Sequence, residues 1–383
     1  MVILNNQINE IISFAGEHSP FWKERLKGRK FHEIPVLKKS ELPMIQRNGL
    51  PFGGLTAVPM ENIARIFMSP GPIYDPQGKQ EDYWRFSEAL EIAGFGPGDL
   101  VLNTFSYHLS PAGFMFDSAL RKLGVTVIPA GVGNTDLQVQ ILKDCKVTGY
   151  VGTPSFLAAL LEKAREARYQ LGDDLQISKA FFTAEKLSDS LKKDWVENGI
   201  SVFEGYGTAD AGCIAYEDGE NKGLRIHSSV FVELCDPETG HPIEKGEMGE
   251  VVITLMDKTY PLIRFGTGDL SSWTPGEEGR YLTGVLGRVG DGIKVRGMFV
   301  HMKQFAPLLE EYPEIKYYQC VVNREGNRDT ITFYLEGIDD SFSVDSLQQR
   351  LKNVIRVSPD VVGVPLHSLS RSEAQFIDKR KWD

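Results

Sequence analysis

Short apolar runs alternate with helix-like patterns through the first two thirds of the chain. The runs lie at residues 99–105, 125–130, 148–154 and 179–184 and read DLVLNTF, VTVIPA, TGYVGTP and KAFFTA. The segments between them carry apolar residues at helical spacing, as in PAGFMFDSALRKLG, DLQVQILKDC and SFLAALLEKAREARYQLG. Because continuous apolar strands separated by helices are typical of a sheet covered on both faces, this pattern predicts a parallel α/β sheet.

The pattern changes after residue 227. Residues 228–256 show alternating β-branched positions and turn-forming residues, which predict an antiparallel β region. Beyond residue 289, a segment with hairpin character lies at 316–337, and apolar residues recur at helical spacing at 343–357. Together they predict a small α+β domain. We therefore expect a large α/β domain at 1–289 and a small α+β domain at 290–383.

Composition narrows the classes of function. The 383-residue chain carries 42 basic and 52 acidic residues and a net charge of −10, which argues against a nonspecific nucleic-acid or anionic-membrane surface. No apolar run is long enough to span a bilayer, and the amino terminus lacks a secretory signal pattern, so we expect a cytoplasmic protein. The four cysteines are scattered singly, so neither a disulfide framework nor a cysteine-rich zinc site is indicated.

The stretch EGYGTADAG at 204–212 follows a predicted strand and combines glycines with Tyr206, Thr208 and Asp210. Glycines allow close approach of backbone amides to a ligand, an aromatic ring can stack on a base, and a carboxylate can hold magnesium beside phosphates. A surface loop rich in turn formers is the alternative interpretation of this stretch, and it is favoured when the stretch is considered alone.

Two further stretches carry possible nucleotide chemistry. YPLIRFGTGDLSSW at 260–273 places Asp269 after an apolar run, where its carboxylate could accept bonds from ribose hydroxyls; a plain hairpin turn explains the stretch equally well. In LGRVGDGIKVRGMFV, at 286–300, glycines flank Asp291 between Arg288 and Lys294, as expected at a domain junction. An exposed basic hairpin is the alternative for this last stretch.

The order and separation of these three motifs resemble the adenylate-forming enzymes, and within them the phenylacetate-coenzyme A ligase branch. The resemblance runs from about residue 20 to the end and includes IPVLKKSELPMIQRNGLPFGG near the start, AEKLSDSLKK after the last parallel strand, and LSRSEAQFIDKRK at the carboxyl end. It implies activation of a carboxylic acid with ATP and magnesium to an acyl-adenylate, followed by attack of coenzyme A. It also implies rotation of the small domain between the two steps, and a homodimer.

The resemblance also implies roles for individual residues. We expect Asp210, Thr208 and Lys294 to serve catalysis and Asp291 to be the hinge. The nucleotide is expected at Ala184, Glu185, Tyr206, Gly207, Asp269, Arg288, Ser69 and Gly71. An aromatic-rich acyl pocket, suited to an aryl or arylacetic acid, is expected at Phe105, Tyr107, Pro111, Ala112, Gly113, Ala130 and Gly131.

Four positions depart from the family pattern. MSPGPIYDP, at 68–76, stands where relatives carry a serine- and glycine-rich phosphate loop, and places Asp75 where they carry a lysine. The carboxyl-terminal segment lacks the lysine that assists adenylation in the family, and Asp210 replaces a glutamate. The cysteines of the zinc site found in many relatives are missing as well, so we expect no zinc and a structural role for His227.

These departures leave two hypotheses. The first is an AMP-forming ligase for an aromatic acid. The second is an adenylation-deficient member of the family that binds AMP, acyl-AMP or an aromatic acid as an accessory protein.

Overall fold

A computed structural model describes residues 2–69, 72–244, 246–290, 292–295, 298–325, 328–339 and 341–380, with the backbone alone at 2–5, 294, 298, 299, 303, 325 and 328. The chain divides into two compact units. The larger comprises Met1–Glu247, Val251–Thr267 and Ser272–Gly284, and the smaller Met248–Glu250, Gly268–Ser271 and Val285–Asp383.

The larger unit begins with a helical lead-in and a hairpin. The elements are α1 (Val2–His18), α2 (Pro20–Leu26), β1 (Leu37–Lys38), α3 (Leu42–Arg47), β2 (Ile63–Ser69), β3 (Ile73–Gly78) and α4 (Ser87–Ile92). The Ser19 hydroxyl caps α2 by accepting from the amide of Trp22, whose indole nitrogen donates to Pro261 O at 2.8 Å. The lead-in is thereby joined to a segment far along the chain.

A parallel sheet follows, as the apolar runs predict. It is formed by β4 (Leu100–Asn103), α5 (Ala112–Lys122), β5 (Thr126–Pro129), α6 (Thr135–Asp144), β6 (Gly149–Gly152), α7 (Pro154–Glu166), β7 (Lys179–Phe182), α8 (Asp189–Glu197) and β8 (Ser201–Thr208). The strands β8, β7, β6, β4 and β5 lie side by side in that order, with every neighbouring pair parallel. The side chains of β4, β6 and β7 are almost entirely buried, because helices of the chain pack over the sheet, whereas β5 and β8 are partly exposed.

Antiparallel strands extend this sheet and form a second one. They are β9 (Gly212–Tyr216), β10 (Leu224–Ile226), β11 (Val230–Cys235), β12 (Gly249–Leu255), β13 (Phe265–Ser271), β14 (Tyr281–Leu282) and β15 (Gly287–Arg288). The first sheet continues from β8 through β9 and β10 to β14, and the second runs β1, β13, β12, β11. The predicted β region at 228–256 contains β11 and β12, which are neighbours in the second sheet, and their antiparallel pairing stays a prediction. Antiparallel pairs lie on either side of that region, between β8, β9, β10 and β14 and between β13 and β15.

The smaller unit contains a mixed sheet with helices packed on it. Its elements are β16 (Ile293–Val295), β17 (Met298–Val300), α9 (Met302–Glu310), β18 (Tyr317–Glu325), β19 (Arg328–Glu336), α10 (Val344–Ile355), β20 (Asp360–Val364) and β21 (Phe376–Asp378). The strands β18 and β19 form the predicted hairpin, and Phe305 and Phe333 meet at its centre with ring centroids 4.9 Å apart. Across the described parts of both units, no helix combines the length and apolar character needed to cross a bilayer.

Candidate functional site

The predicted loop at 204–212 is a tight hairpin between β8 and β9. Gly212 has φ 70°, and a Cβ added there would lie 2.7 Å from Trp84 O, so the turn requires glycine at this position. The Thr208 hydroxyl accepts from the Ala211 amide at 3.1 Å and closes the turn. The turn also carries Asp210, whose side chain is fully buried. Gly212 therefore serves close packing of the turn against the segment at Trp84.

The candidate base-binding residues lie at the carboxyl ends of neighbouring parallel strands. Tyr206, in β8, is buried and its hydroxyl donates to Thr267 Oγ1 at 3.2 Å. Ala184 follows β7 with φ 71°, and the adjacent Glu185 accepts from the Ser155 amide at the start of α7. Because ligands of open α/β sheets bind at this edge, the placement supports a nucleotide site here, and stacking on Tyr206 stays a prediction.

Asn103 joins the two segments predicted to line the acyl pocket, and sequence reasoning missed it. It ends β4 and is completely buried. Its Nδ2 donates to Tyr107 Oη at 2.8 Å and to Gly113 O at 2.9 Å, while its backbone carbonyl accepts from the amides of Ala130 and Gly131 at 3.0 and 3.1 Å. One side chain and its own carbonyl therefore fix both pocket segments at the same strand end.

Aromatic rings dominate this region. Phe105 stacks on Phe116 at 4.9 Å between ring centroids, and Tyr107 meets Phe114 edge to face at 5.2 Å. Burial, and after it the nearby Asp117 carboxylate, raises the pKa of Tyr107, so its hydroxyl stays protonated near neutral pH. Of the other predicted pocket residues, Pro111 is the N-cap residue of α5 and Ala112 is its first residue.

The stretch at 68–76 is a β-hairpin rather than an extended phosphate loop. Its strands β2 and β3 place Phe67 opposite Asp75 and Ser69 opposite Ile73. Gly71, a predicted phosphate contact, lies outside the described residues. Ser69 and Asp75 are 5% and 2% exposed, so both point into the protein.

The hairpin brings Asp75 close to Asp210. Burial, and after it the charge of Asp210, raises the pKa of Asp75 from 3.8 to about 7, against smaller lowering effects of Ser69 and Lys39. Lys39 Nζ donates to Asp210 Oδ2 at 2.5 Å. Lys39 lies between β1 and α3. It is a second residue that sequence reasoning missed, since 171 positions separate it from Asp210.

The predicted ribose pair lies in the smaller unit. Asp269 and Arg288 face each other in the register of β13 and β15, with Arg288 Nε 3.3 Å from Asp269 Oδ1. The arginine side chain is 76% exposed, whereas the aspartate is buried. Lys294 lies in β16 opposite Phe299, and Asp291, the predicted hinge, is outside the described residues.

Histidine 227 has hydrogen-bond partners on both ring nitrogens. Nδ1 accepts from the Ser229 amide at 3.0 Å, and Nε2 lies 3.1 Å from Glu88 Oε2, whose other oxygen accepts from the Tyr216 hydroxyl at 2.6 Å. Burial lowers the pKa of His227 to about 4, so the ring is neutral and Nε2 carries the proton. Nowhere in the described ranges do three or more His, Cys, Asp or Glu side chains gather in a metal-binding arrangement.

The carboxyl-terminal segment is anchored by one buried carboxylate. Glu336 accepts from Arg371 Nη2 at 2.6 Å, from Nη1 at 3.1 Å and from the Leu369 amide at 2.8 Å. Arg371 also lies 3.5 Å above the ring of Tyr317. Both Nη atoms of Arg371 are therefore engaged within the smaller unit, Nη1 also by the Leu369 carbonyl at 3.0 Å.

Comparison with known proteins gives matches along nearly the whole chain. The profile of the family described as AMP-binding enzyme matches residues 82–255. Phenylacetate-coenzyme A ligase of Thermus thermophilus is 30% identical over 86% of this chain and 80% of its own length, and that of Escherichia coli is 28% identical over 94% and 86%. A crystal structure of an open conformation of 2-hydroxyisobutyryl-CoA ligase superposes with a TM-score of 0.80 at 23% identity, covering 97% of this chain and 90% of that one, which shows the same fold.

Proposed function

Because the chain belongs to the phenylacetate-coenzyme A ligase family of AMP-binding enzymes, we propose that it is an AMP-forming acid–thiol ligase. It would convert an aryl or arylacetic acid, ATP and coenzyme A into the acyl-CoA thioester, AMP and pyrophosphate. The match to ligases over four fifths of their length is the observation that carries the proposal.

The reaction requires two displacements. A carboxylate oxygen of the acid attacks the α-phosphorus of ATP, and the bond to the β-phosphate oxygen breaks to release pyrophosphate. The thiolate sulfur of coenzyme A then attacks the acyl carbon, and the bond to AMP breaks. Magnesium, when bound with the nucleotide, screens the phosphate charge during the first displacement.

The residues of this chain would position the reactants. The pocket organised by Asn103 holds the aromatic acid, Tyr206 with Gly207 and the Ala184–Glu185 turn border the base, and Asp269 with Arg288 holds the ribose. Ser69 and Gly71 would lie near the phosphates, and Asp210 with Thr208 near the reacting α-phosphate. The small domain, residues 290–383 with Asp291 as hinge, would bring Lys294 to the site, and a homodimer remains the expected assembly.

Product analysis tests the proposal. The protein is incubated with ATP, magnesium, coenzyme A and each of a panel of aryl and arylacetic acids, and AMP and acyl-CoA are measured by liquid chromatography and mass spectrometry. We expect both products in equal amounts with at least one acid, and none when the acid is omitted. Asp269→Ala should lower the yield at limiting ATP, because it removes the acceptor for the ribose hydroxyls.

One observation favours the second hypothesis, a binding protein without adenylation activity. Asp75 places a buried carboxyl where relatives carry a cation for the triphosphate. If no acid yields AMP while calorimetry detects binding of AMP or of an acyl-AMP analogue, the ligase proposal is wrong and the binding protein stands.

A further inference from the structure

A cluster of buried oxygen atoms lies beside the hairpin at 63–78. We call it the Asp75 cluster; it comprises Lys39, Ser69, Asp75, Asp210 and Tyr260. Its four oxygen-bearing residues are each at most 7% exposed, and Ser69 Oγ, both Asp75 carboxylate oxygens, Asp210 Oδ1 and Tyr260 Oη make no hydrogen bond of normal distance and angle within the described residues. Ser69 still lies near enough to Asp75, and Gln46 to Tyr260, to lower the pKa of each. Because buried polar atoms almost always make well-formed hydrogen bonds, five that do not, gathered in one place, indicate a missing ligand.

The members of the cluster come from separate parts of the larger unit. Ser69 and Asp75 are diagonal neighbours on one face of the β2–β3 hairpin, and Asp210 comes from the β8–β9 turn. Tyr260 is buried against the same carboxyls: burial, and after it the charges of Asp210 and Asp75, raises its pKa. Two hydroxyls and two carboxyls are therefore buried within electrostatic reach of one another.

The chemistry of the cluster selects its ligand. Hard divalent cations such as Mg²⁺ and Mn²⁺ are bound by carboxylate and hydroxyl oxygens, which are the groups present here. An anion would be repelled by the carboxylates, and an apolar ligand would leave the oxygens unpaired. Lys39 neutralises only one of the two carboxyls, since its ammonium lies 2.5 Å from Asp210 Oδ2 and Asp75 has no ion-pair partner within the described residues.

We propose that Asp75 and Asp210 together bind a divalent cation in the absence of nucleotide, with Ser69 and Tyr260 as flanking oxygen donors. The second carboxylate, Asp75, and the independence from nucleotide distinguish this site from a magnesium ion carried in by ATP. A bound cation turns the cluster from net negative to net positive. If the protein uses ATP as proposed above, the stretch at 68–76, whose Asp75 carboxylate would repel the triphosphate, attracts it once the cation is bound.

Manganese binding tests the site directly. The full chain is stripped of metal with a chelator, and free Mn²⁺ is titrated by electron paramagnetic resonance without nucleotide. We expect one site, lost or weakened at least tenfold in Asp75→Asn. Lys39→Met should bind Mn²⁺ at least as tightly as the wild type, because the ammonium that competes for Asp210 is gone. Asp136→Asn, which removes an exposed carboxylate paired with Lys163 at 3.2 Å, is the matched control and should bind normally.

Several outcomes would overturn the proposal. They are Mn²⁺ binding that requires ATP, unchanged affinity in Asp75→Asn, or no binding at all, which would mean that water fills the cluster. Circular dichroism verifies that each variant folds. If Asp75→Asn does not fold, Ser69→Ala takes its place; it keeps both carboxyls and should weaken Mn²⁺ binding several-fold. Mn²⁺ binding without ligase activity would contradict the proposed function and leave the site intact, whereas activity without nucleotide-independent Mn²⁺ binding would contradict only the site.

Discussion

The buried carboxyl of Asp75 makes a prediction about stability that does not depend on enzymatic activity. Its pKa rises from 3.8 to about 7 on folding, mainly because burial disfavours the charged form. Below about pH 4 both folded and unfolded chains keep the proton, so the residue contributes nothing. As the pH rises towards 7, the unfolded chain releases its proton more readily, and the free energy of unfolding falls.

The size of this effect follows from the shift. At about 1.4 kcal/mol per pKa unit, the ionisation of Asp75 costs the folded state at most about 4 kcal/mol above pH 7. Asp75→Asn cannot ionise, so its free energy of unfolding relative to that of the wild type should increase by about 2.6 kcal/mol between about pH 5 and about pH 8.

Urea unfolding in the presence of a chelator measures the difference. Tryptophan fluorescence is a suitable probe because four of the five tryptophans, at positions 22, 84, 195 and 273, lie in the larger unit. Asp99→Asn is a control in which the pH dependence of the stability difference has the opposite sign. Burial acts to raise the pKa of Asp99, but hydrogen bonds from Gly96, Lys179 and Thr148 lower it overall. A wild type that gains stability over Asp75→Asn as the pH rises would refute this reasoning, because Asp75 would then be charged and well paired.

Three further predictions concern ion pairs and packing within the two units. Arg264→Met should cost about 3 to 5 kcal/mol in urea unfolding, because it leaves the buried Glu233 without the guanidinium that donates to it at 3.0 Å; a loss below 1 kcal/mol would show that water replaces the pair. Gly212→Ala should lower the thermal midpoint by several degrees, since its φ is 70° and the added Cβ meets a backbone oxygen, and an unchanged midpoint would contradict the packing of this turn. Arg371, with smaller contributions from the Leu369 and His367 amides, lowers the pKa of Glu336 from 4.5 to about 2, so the stability from these contacts is present above pH 4.5 and lost as the pH falls towards 2. Arg371→Met should reduce that acid dependence in thermal scans, and an unaltered profile would reject the assignment.

The sequence was most informative where a local pattern determines the structure. Runs such as KAFF and GYVG are almost wholly apolar and become parallel strands that are buried except for Lys179, because only a sheet covered on both faces accommodates them. The hairpin of β18 and β19 was equally predictable from its alternation and central turn.

Contacts between distant residues could not be predicted in this way. Nothing near Lys39 indicates that its ammonium pairs with Asp210, and Asn103 looks like an ordinary strand end until the fold brings the pocket segments to it. Asp75 was expected in a loop, but the β-branched and aromatic residues on both sides form a hairpin that turns its carboxyl inward. The roles of Asp291, Lys294 and Gly71 stay predictions.

The central claim is that this chain still adenylates a carboxylic acid although Asp75 places a buried carboxyl in the stretch where relatives carry the phosphate loop. ATP–pyrophosphate exchange measures that step alone, without coenzyme A. We expect labelled pyrophosphate to enter ATP in the presence of magnesium and a suitable aromatic acid, and not without the acid. No exchange with any acid, together with measurable binding of AMP or an acyl-AMP analogue, would contradict the claim and identify a protein that binds the adenylate without making it.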